Sequence, residues 1–111
     1  MNNRARAAFF MKKTQELFES YGWLWLQAEC TCGTRSKDGW GIVDAIAFKP
    51  RHTPIGIQIT AHSAISNRAK KIEDCEQIDE ILKSVRILVI GWKKKGRLWE
   101  PTKVRAVSYT H

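Results

Sequence analysis

The sequence predicts a single α/β domain, in which a mixed sheet of about five strands is flanked by helices. Three observations support this class. Residues 4–21 carry apolar side chains at three- and four-residue spacing, which is typical of a helix that packs along one side. Two short apolar runs, 40–48 and 55–60, flank a proline-containing connection, as paired strands do. The continuous apolar run 86–92 is typical of a strand that is buried on both faces.

Further elements complete the chain in the order helix, three strands, two helices and two strands. Pro101 cannot donate a hydrogen bond to a strand ladder, which favours an edge position or a bulge. The three lysines before Gly96 are predicted to lie in a turn. The other predicted elements are strands at 23–29 and 102–108 and helices at 63–73 and 76–85.

Length and composition indicate one globular domain with a strongly basic balance. The 111 residues are 43% hydrophobic and 27% charged, which is sufficient for one modest core. Nineteen Lys and Arg residues against eleven Asp and Glu residues give a net charge of +8. This balance favours a polyanionic partner, and nucleic acid is the usual one. The alternative is a basic surface that only keeps the protein in solution.

Location and redox state follow from what the sequence lacks. No apolar run approaches the roughly 20 residues that a membrane-spanning helix needs, and residues 1–6 lack the apolar core of a secretion signal. The odd number of cysteines, Cys30, Cys32 and Cys75, argues against a disulfide framework. We therefore expect a cytoplasmic protein with no membrane partner.

One acidic residue and one amide interrupt the two apolar runs. Asp44 lies in the middle of the first run, and Gln58 lies in the middle of the second. A carboxylate among buried side chains is costly unless it is paired or binds a metal. Side chains alternate along a strand, so Gln58 shares a face with Gly56 and Thr60. Asp44 and Gln58 therefore mark a candidate functional site.

These runs resemble the centre of the PD-(D/E)XK nuclease superfamily, which includes restriction endonucleases and Holliday junction resolvases. The resemblance rests on Gly39-Trp-Gly-Ile-Val-Asp44 and on Gln58-Ile59-Thr60, a degenerate form of the family motif found in small phage-encoded members. A helix with an Arg68-x-x-Lys71 pattern follows, as in those relatives. The resemblance implies one nuclease domain over 1–111 with a restriction-endonuclease-like core in the order α-β-β-β-α-α-β-β. It would act in the cytoplasm of a phage host.

The resemblance also implies an activity and a cofactor. A DNA endonuclease of this kind hydrolyses phosphodiester bonds with Mg²⁺ or Mn²⁺ and can be specific for branched DNA. The metal would be held by the Asp44 carboxylate, the Gln58 amide oxygen and the Ile59 carbonyl. The implied catalytic residues are Asp44, Gln58, Thr60 and Lys71.

One departure from the family pattern affects the chemistry. The family has a lysine where this chain has Thr60, and threonine cannot neutralise negative charge that develops in the reaction. Lys71, ahead of Lys70, is expected to take over that role from the neighbouring helix. The alternative is that both lysines belong to a solvated basic face of that helix. Glu29 ends the first predicted strand and is either an additional acidic ligand or an exposed strand end.

Partners follow from the charge pattern and from the resemblance. Resolvases cut two strands symmetrically, which implies a homodimer, with Trp92, Trp99 and Tyr109 as candidates for exposed apolar contacts. The alternative is that the tryptophans lie in the core. Basic residues cluster in three places that we expect to contact the phosphates of duplex or branched DNA. They are Arg35, Lys37, Arg68, Lys70, Lys71, Lys93, Lys94 and Lys95.

Two other functions remain compatible with the sequence. In the first, Thr60 marks a nuclease fold that has lost catalysis and now acts as a DNA-binding module. In the second, the basic surface binds an acidic protein instead of DNA. Metal-dependent cleavage would separate the enzyme from the binding module, and salt-sensitive DNA affinity would separate both from the protein-interaction domain.

Overall fold

The computed structural model describes residues 3–27 and 43–107 and consists of one sheet between two helical layers. The element order confirms the predicted α/β class and the predicted succession of helices and strands. None of the helices in the described residues is long and apolar enough to cross a membrane. The elements are α1 (Asn3–Ser20), β1 (Leu24–Gln27), β2 (Ala45–Phe48), β3 (Ile55–Ala61), a 3-10 turn (His62–Ala64), α2 (Ile65–Glu73), α3 (Ile78–Leu82), β4 (Arg86–Lys95) and β5 (Leu98–Val107).

The five strands lie side by side in chain order, β1-β2-β3-β4-β5. All neighbouring pairs are antiparallel except β3 and β4, which are parallel, so the sheet is mixed as predicted. Parallel neighbours cannot be joined by a tight turn, and the chain crosses from β3 to β4 through α2 and α3. This crossover makes β3 an interior strand, with β2 on one side and β4 on the other.

Each face of the sheet carries its own core, because side chains alternate along the strands. On the α1 face, Phe10 packs with Ile57 and Ile90. On the opposite face, called the α2 face, Ile65 and Ile72 pack with Ile87 and Val89 of β4. The two helices therefore lie on opposite faces, as predicted. The α2-face core consists of Ile65, Ala69, Ile72, Ile78, Ile87, Val89 and Val107.

A capped end fixes α1 on the sheet. Gly22 has a φ of 89°, in the left-handed region that glycine adopts easily, and it ends the helix. The Trp23 N–H donates to the Phe18 carbonyl at 3.1 Å, and the Gly22 N–H donates to the Glu19 carbonyl at 3.0 Å. Lys49 Nζ, just after β2, donates to the Tyr21 carbonyl at 2.9 Å. These bonds tie the end of α1 to the end of β2.

Trp92 lies in the core, so the expectation that it forms an exposed dimer contact is wrong. Only 4% of its surface is exposed, and its ring stacks on Phe10 with the centroids 6.1 Å apart. Its indole Nε1 donates to Thr14 Oγ1 at 3.0 Å, and that hydroxyl donates to the Phe10 carbonyl at 2.7 Å. Trp99 is half-buried against Phe10, and Tyr109 lies outside the described residues.

The bond between Thr14 and Trp92 gives a stability prediction. Thr14→Val preserves the shape of the side chain but leaves a buried indole N–H without an acceptor. We expect unfolding free energy to fall by about 1–3 kcal/mol, the cost of an unsatisfied buried donor. Urea denaturation followed by circular dichroism measures this loss. Thr14→Ser keeps the hydroxyl and serves as the control; equal losses in both variants would contradict the role of this hydrogen bond.

The β4–β5 hairpin differs from the sequence prediction at its tip. Lys93, Lys94 and Lys95 belong to β4, opposite Glu100, Trp99 and Leu98, and the turn contains only Gly96 and Arg97. Gly96 has a φ of 65°, which suits the first position of a two-residue hairpin turn. The lysines extend the strand because residues of β5 remain available to pair with them.

Pro101 lies where the sequence predicted, on an edge strand beside a bulge. Gly91 pairs with Lys103 and Trp92 pairs with Pro101, which leaves Thr102 as an extra residue in β5. Since proline has no N–H to donate, the irregular ladder at this point accommodates it without the loss of a regular bond.

Candidate functional site

Asp44, Gln58 and Ile59 meet at the point where β2 begins. Asp44 Oδ2 accepts hydrogen bonds from Gln58 Nε2 at 2.8 Å and from the Ile59 N–H at 2.8 Å. Gln58 is buried, with 6% of its surface exposed, and Asp44 is half-buried. Two N–H groups directed at one carboxylate oxygen stabilise its negative charge. The structure therefore brings these three residues together through the Gln58 amide nitrogen and the Ile59 N–H, and the metal site expected of their oxygen atoms stays a prediction.

Asp44 holds this position because it lies in a bend before β2, not in the middle of a strand as the sequence suggested. Its own N–H donates to the Ile57 carbonyl at 2.7 Å, and regular pairing with β3 begins at Ala45 opposite Ile57. The next N–H of β3 that points toward β2 belongs to Ile59. It donates to the Asp44 carboxylate, where a regular ladder would have a main-chain carbonyl of β2. The carboxylate thus ends the β2–β3 ladder.

Oxygen atoms near Asp44 are candidate ligands for a divalent cation. The N–H and C=O of one strand residue point to the same side, so the Ile59 carbonyl is directed to the same side as the N–H that binds Asp44. Gln58 donates through Nε2, which leaves its Oε1 as an acceptor. Together with the carboxylate these are oxygen donors, the type that Mg²⁺ prefers. The cluster therefore carries oxygen atoms of the type that a hard cation takes.

The negative charge available to such a cation is small. In residues 3–27 and 43–107, no group of three or more His, Cys, Asp or Glu side chains could hold a metal ion. Asp44 therefore provides the carboxylate, and neutral oxygens provide the other ligands. Glu29, the predicted additional acidic residue, lies outside the described residues. A cation bound by the described residues alone would have low affinity.

A groove opens beside Asp44 and Ile59, between α1 and the ends of β1, β2 and β3, and the buried Gln58 is not among the described residues that line it. It encloses about 450 Å³. Asp44 is the one carboxylate among the described residues that line it, and the two cations that line it both come from α1. The lining residues are Arg4, Ala7, Ala8, Met11, Lys12, Gln15, Gln27, Asp44 and Ile59.

Thr60 and the predicted basic helix lie apart from this groove. Thr60 is 8% exposed and lies on the α2 face of β3, as Gln58 does. Its side chain is neutral. Arg68, Lys70 and Lys71 are exposed on α2, which packs on the face of the sheet opposite α1. None of them lines the groove in the described part of the chain. A role for Lys71 at the site stays a prediction.

The lysines of β4 line a second concavity, where β4 and β5 extend past the end of β3. A cavity of about 270 Å³ lies between the hairpin and the start of α2, where His62 Nδ1 and Thr102 Oγ1 are 2.7 Å apart. Lys93, Lys94 and Lys95 all line it and are exposed. Arg35 and Lys37, also predicted to contact DNA, lie outside the described residues.

No role was predicted for α1 from the sequence, yet this helix supplies both cations among the described residues that line the groove. The signal was available in the spacing. Arg4, Ala8 and Lys12 recur every four residues, and Met11 and Gln15 form a neighbouring row, so all five lie along one side of a helix. This side borders the buried stripe that contains Phe10 and Thr14. What the spacing could not show was which strand ends would lie beneath it.

The fold and the site together define the class of protein. It is a basic α/β domain with a hydrogen-bonded carboxylate–amide pair at the end of two strands and a groove with two cations beside it. Comparison with protein-family models, with curated proteins and with solved structures finds no match. The function is therefore inferred from the site itself and from the resemblance of the sequence motifs.

Proposed function

We propose that this protein is a metal-dependent DNA endonuclease. The observation that carries the proposal is the convergence of Asp44, Gln58 and Ile59 beside a groove with two cations. Oxygen ligands next to a cationic groove suit a phosphodiester that is bound and hydrolysed at one place. The net charge of +8 favours a polyanionic substrate.

Each residue of the site would have its own role in this reaction. The Asp44 carboxylate, the Gln58 amide oxygen and the Ile59 carbonyl would hold Mg²⁺ or Mn²⁺. The metal, when bound, would polarise the phosphodiester and lower the pKa of the attacking water. Gln58 also orients the carboxylate through its 2.8 Å hydrogen bond, and the Ile59 N–H fixes it from the second side. Arg4 and Lys12 would attract the DNA backbone into the groove.

The finer parts of the proposal come from the resemblance to resolvases. They are a preference for branched DNA, a homodimer that cuts two strands, and action in the cytoplasm of a phage host. With Trp92 buried, Trp99 is the remaining described aromatic candidate for a contact between two subunits.

A DNA-binding module without catalysis is the second candidate, and two observations favour it. Thr60 cannot supply the positive charge of the family lysine. Asp44 Oδ2 already accepts two hydrogen bonds that end the β2–β3 ladder, so the carboxylate has a structural role even without a metal. In this alternative the groove binds the DNA backbone and the phosphodiester stays intact.

A cleavage assay separates the two candidates. Purified protein is incubated with labelled duplex, single-stranded and branched DNA in Mg²⁺, in Mn²⁺ and in EDTA. We expect cleavage with a divalent metal and none in EDTA. We also expect the logarithm of the DNA affinity to fall linearly with the logarithm of the salt concentration.

Each failure in this assay has a distinct meaning. Salt-sensitive binding with no cleavage of any DNA form would replace the enzyme by the binding module. Cleavage that persists in EDTA would refute the metal dependence. Absence of DNA binding at low salt would refute both candidates and leave the protein-interaction domain.

A further inference from the structure

We propose that the groove carries a single DNA strand along α1. One phosphate of this strand lies at Asp44. Arg4 binds the phosphate on one side of it, and Lys12 binds the phosphate on the other side. The inference deepens the proposed function, since it rests on DNA as the substrate and adds a path for the strand. In this arrangement α1 supplies the positive charge at the site.

The spacing of the two cations sets the scale of this path. Arg4 and Lys12 are eight residues apart on one side of α1, which places their backbones about 12 Å apart along the helix axis. Ala8 lies between them and also lines the groove. Its small side chain leaves space in the groove between the two cations. The groove is therefore cationic at both ends and open in between.

The two cations are available to bind an anion. Neither Arg4 nor Lys12 forms an ion pair with any described residue, and both side chains are exposed. Their neighbour Lys13 differs, because it lies 3.9 Å from the Glu16 carboxylate and 5.7 Å from the centroid of the Phe9 ring. A phosphate would thus be the partner of Arg4 and Lys12, whereas Lys13 already has partners within the protein.

The rest of the lining suits a nucleic acid strand more than a compact anion. Gln15 and Gln27 offer amide groups, and Ala7 and Met11 offer apolar surface. Backbone phosphates are held by cations and amides, and apolar surface can cover sugars and bases. The volume of about 450 Å³ exceeds what one phosphate needs. The groove is therefore larger than a compact anion requires.

Charge-removing variants test the path through the salt dependence of binding. R4Q and K12Q are compared with K13Q, which removes the same charge from the same helix outside the groove. The probes are a short fluorescein-labelled single strand and the matching duplex, with affinity measured by anisotropy over a salt series in EDTA. R4Q and K12Q should each reduce the log–log slope by about 0.7 on the single strand, or about 0.9 on the duplex. K13Q should leave the slope unchanged.

A second pair of variants tests the open middle of the groove without a change in charge. Ala8→Gln fills the space between the two cations, and Ala5→Gln places the same side chain on α1 at a position that does not line the groove. We expect Ala8→Gln to weaken DNA binding about tenfold, an effect equivalent to about 1.4 kcal/mol. Ala5→Gln should bind as the wild type does.

The results distinguish the strand path from the endonuclease activity. Wild-type protein that binds DNA with the expected changes in slope but never cleaves it supports the path and refutes the enzyme. Wild-type protein that cleaves DNA while R4Q and K12Q keep the wild-type slope refutes the path alone. A change in slope for K13Q equal to that of K12Q, or equal binding by Ala8→Gln and Ala5→Gln, also overturns the path.

Discussion

Asp44→Asn is expected to abolish metal-dependent DNA cleavage while the fold remains intact. Asparagine keeps an oxygen that can accept the hydrogen bonds from Gln58 and from the Ile59 N–H, but it removes the negative charge. Loss of one electrostatic group from an active site reduces kcat by on the order of 10²–10³-fold. Cleavage of labelled DNA in Mg²⁺ measures the loss, and urea denaturation measures the stability.

Asp44→Ala is the matched comparison, because it removes both the charge and the acceptor. It should be as inactive as Asp44→Asn. It should also lose about 1–3 kcal/mol of unfolding free energy, since the Ile59 N–H and the Gln58 amide lose their acceptor. An Asp44→Asn protein that cleaves DNA at the wild-type rate would show that the carboxylate only ends the β2–β3 ladder and takes no part in catalysis.

Gly91→Ala is expected to destabilise the domain by about 1–3 kcal/mol, the usual cost of overpacking a core. A Cβ at this position would overlap Ile65 Cδ1 and would lie 2.6 Å from Ile65 Cγ1 and 3.0 Å from the Cα of His62. Ile65 is 2% exposed and packs in the α2-face core, so it has little room to move. Thermal and urea denaturation both measure the effect.

A double-mutant cycle identifies the cause of that loss. Ile65→Ala alone should cost about 2–5 kcal/mol through the cavity that it leaves. In the Gly91→Ala background the same change should cost less, because it also removes the overlap. A coupling of about 1 kcal/mol or more in this direction would assign the loss to contact with Ile65, since neighbouring residues couple on this scale. Additive losses would instead indicate a main-chain effect at Gly91.

Much of the fold could be predicted from the sequence because hydrophobic periodicity records which face of each element is buried. The row that includes Phe10 and Thr14 identified α1, and the short apolar run after the proline-containing connection identified β3. Both patterns depend only on local geometry and burial. The length of β4 was missed because the three lysines that extend it are stabilised by pairing with β5, which is a tertiary effect.

The candidate site could be predicted only in its central part. An acidic residue in an apolar run identified Asp44, and the alternation of side chains along β3 placed Gln58. The bend at Asp44 could not be predicted, since it depends on the carboxylate accepting the Ile59 N–H across the sheet. Arg4 and Lys12 were missed as groove residues, because their position depends on how α1 packs over the ends of three strands.

All the described residues that line the groove lie between positions 4 and 59, so during synthesis they leave the ribosome before α2 begins. They cannot reach their final arrangement at that stage. Main-chain groups of β3, including those of Gln58, are paired with β4, which begins only at Arg86. The half of the chain that bears the groove therefore depends on the later half to become ordered. A nascent protein could not bind its ligand in native form until nearly the whole domain had been made.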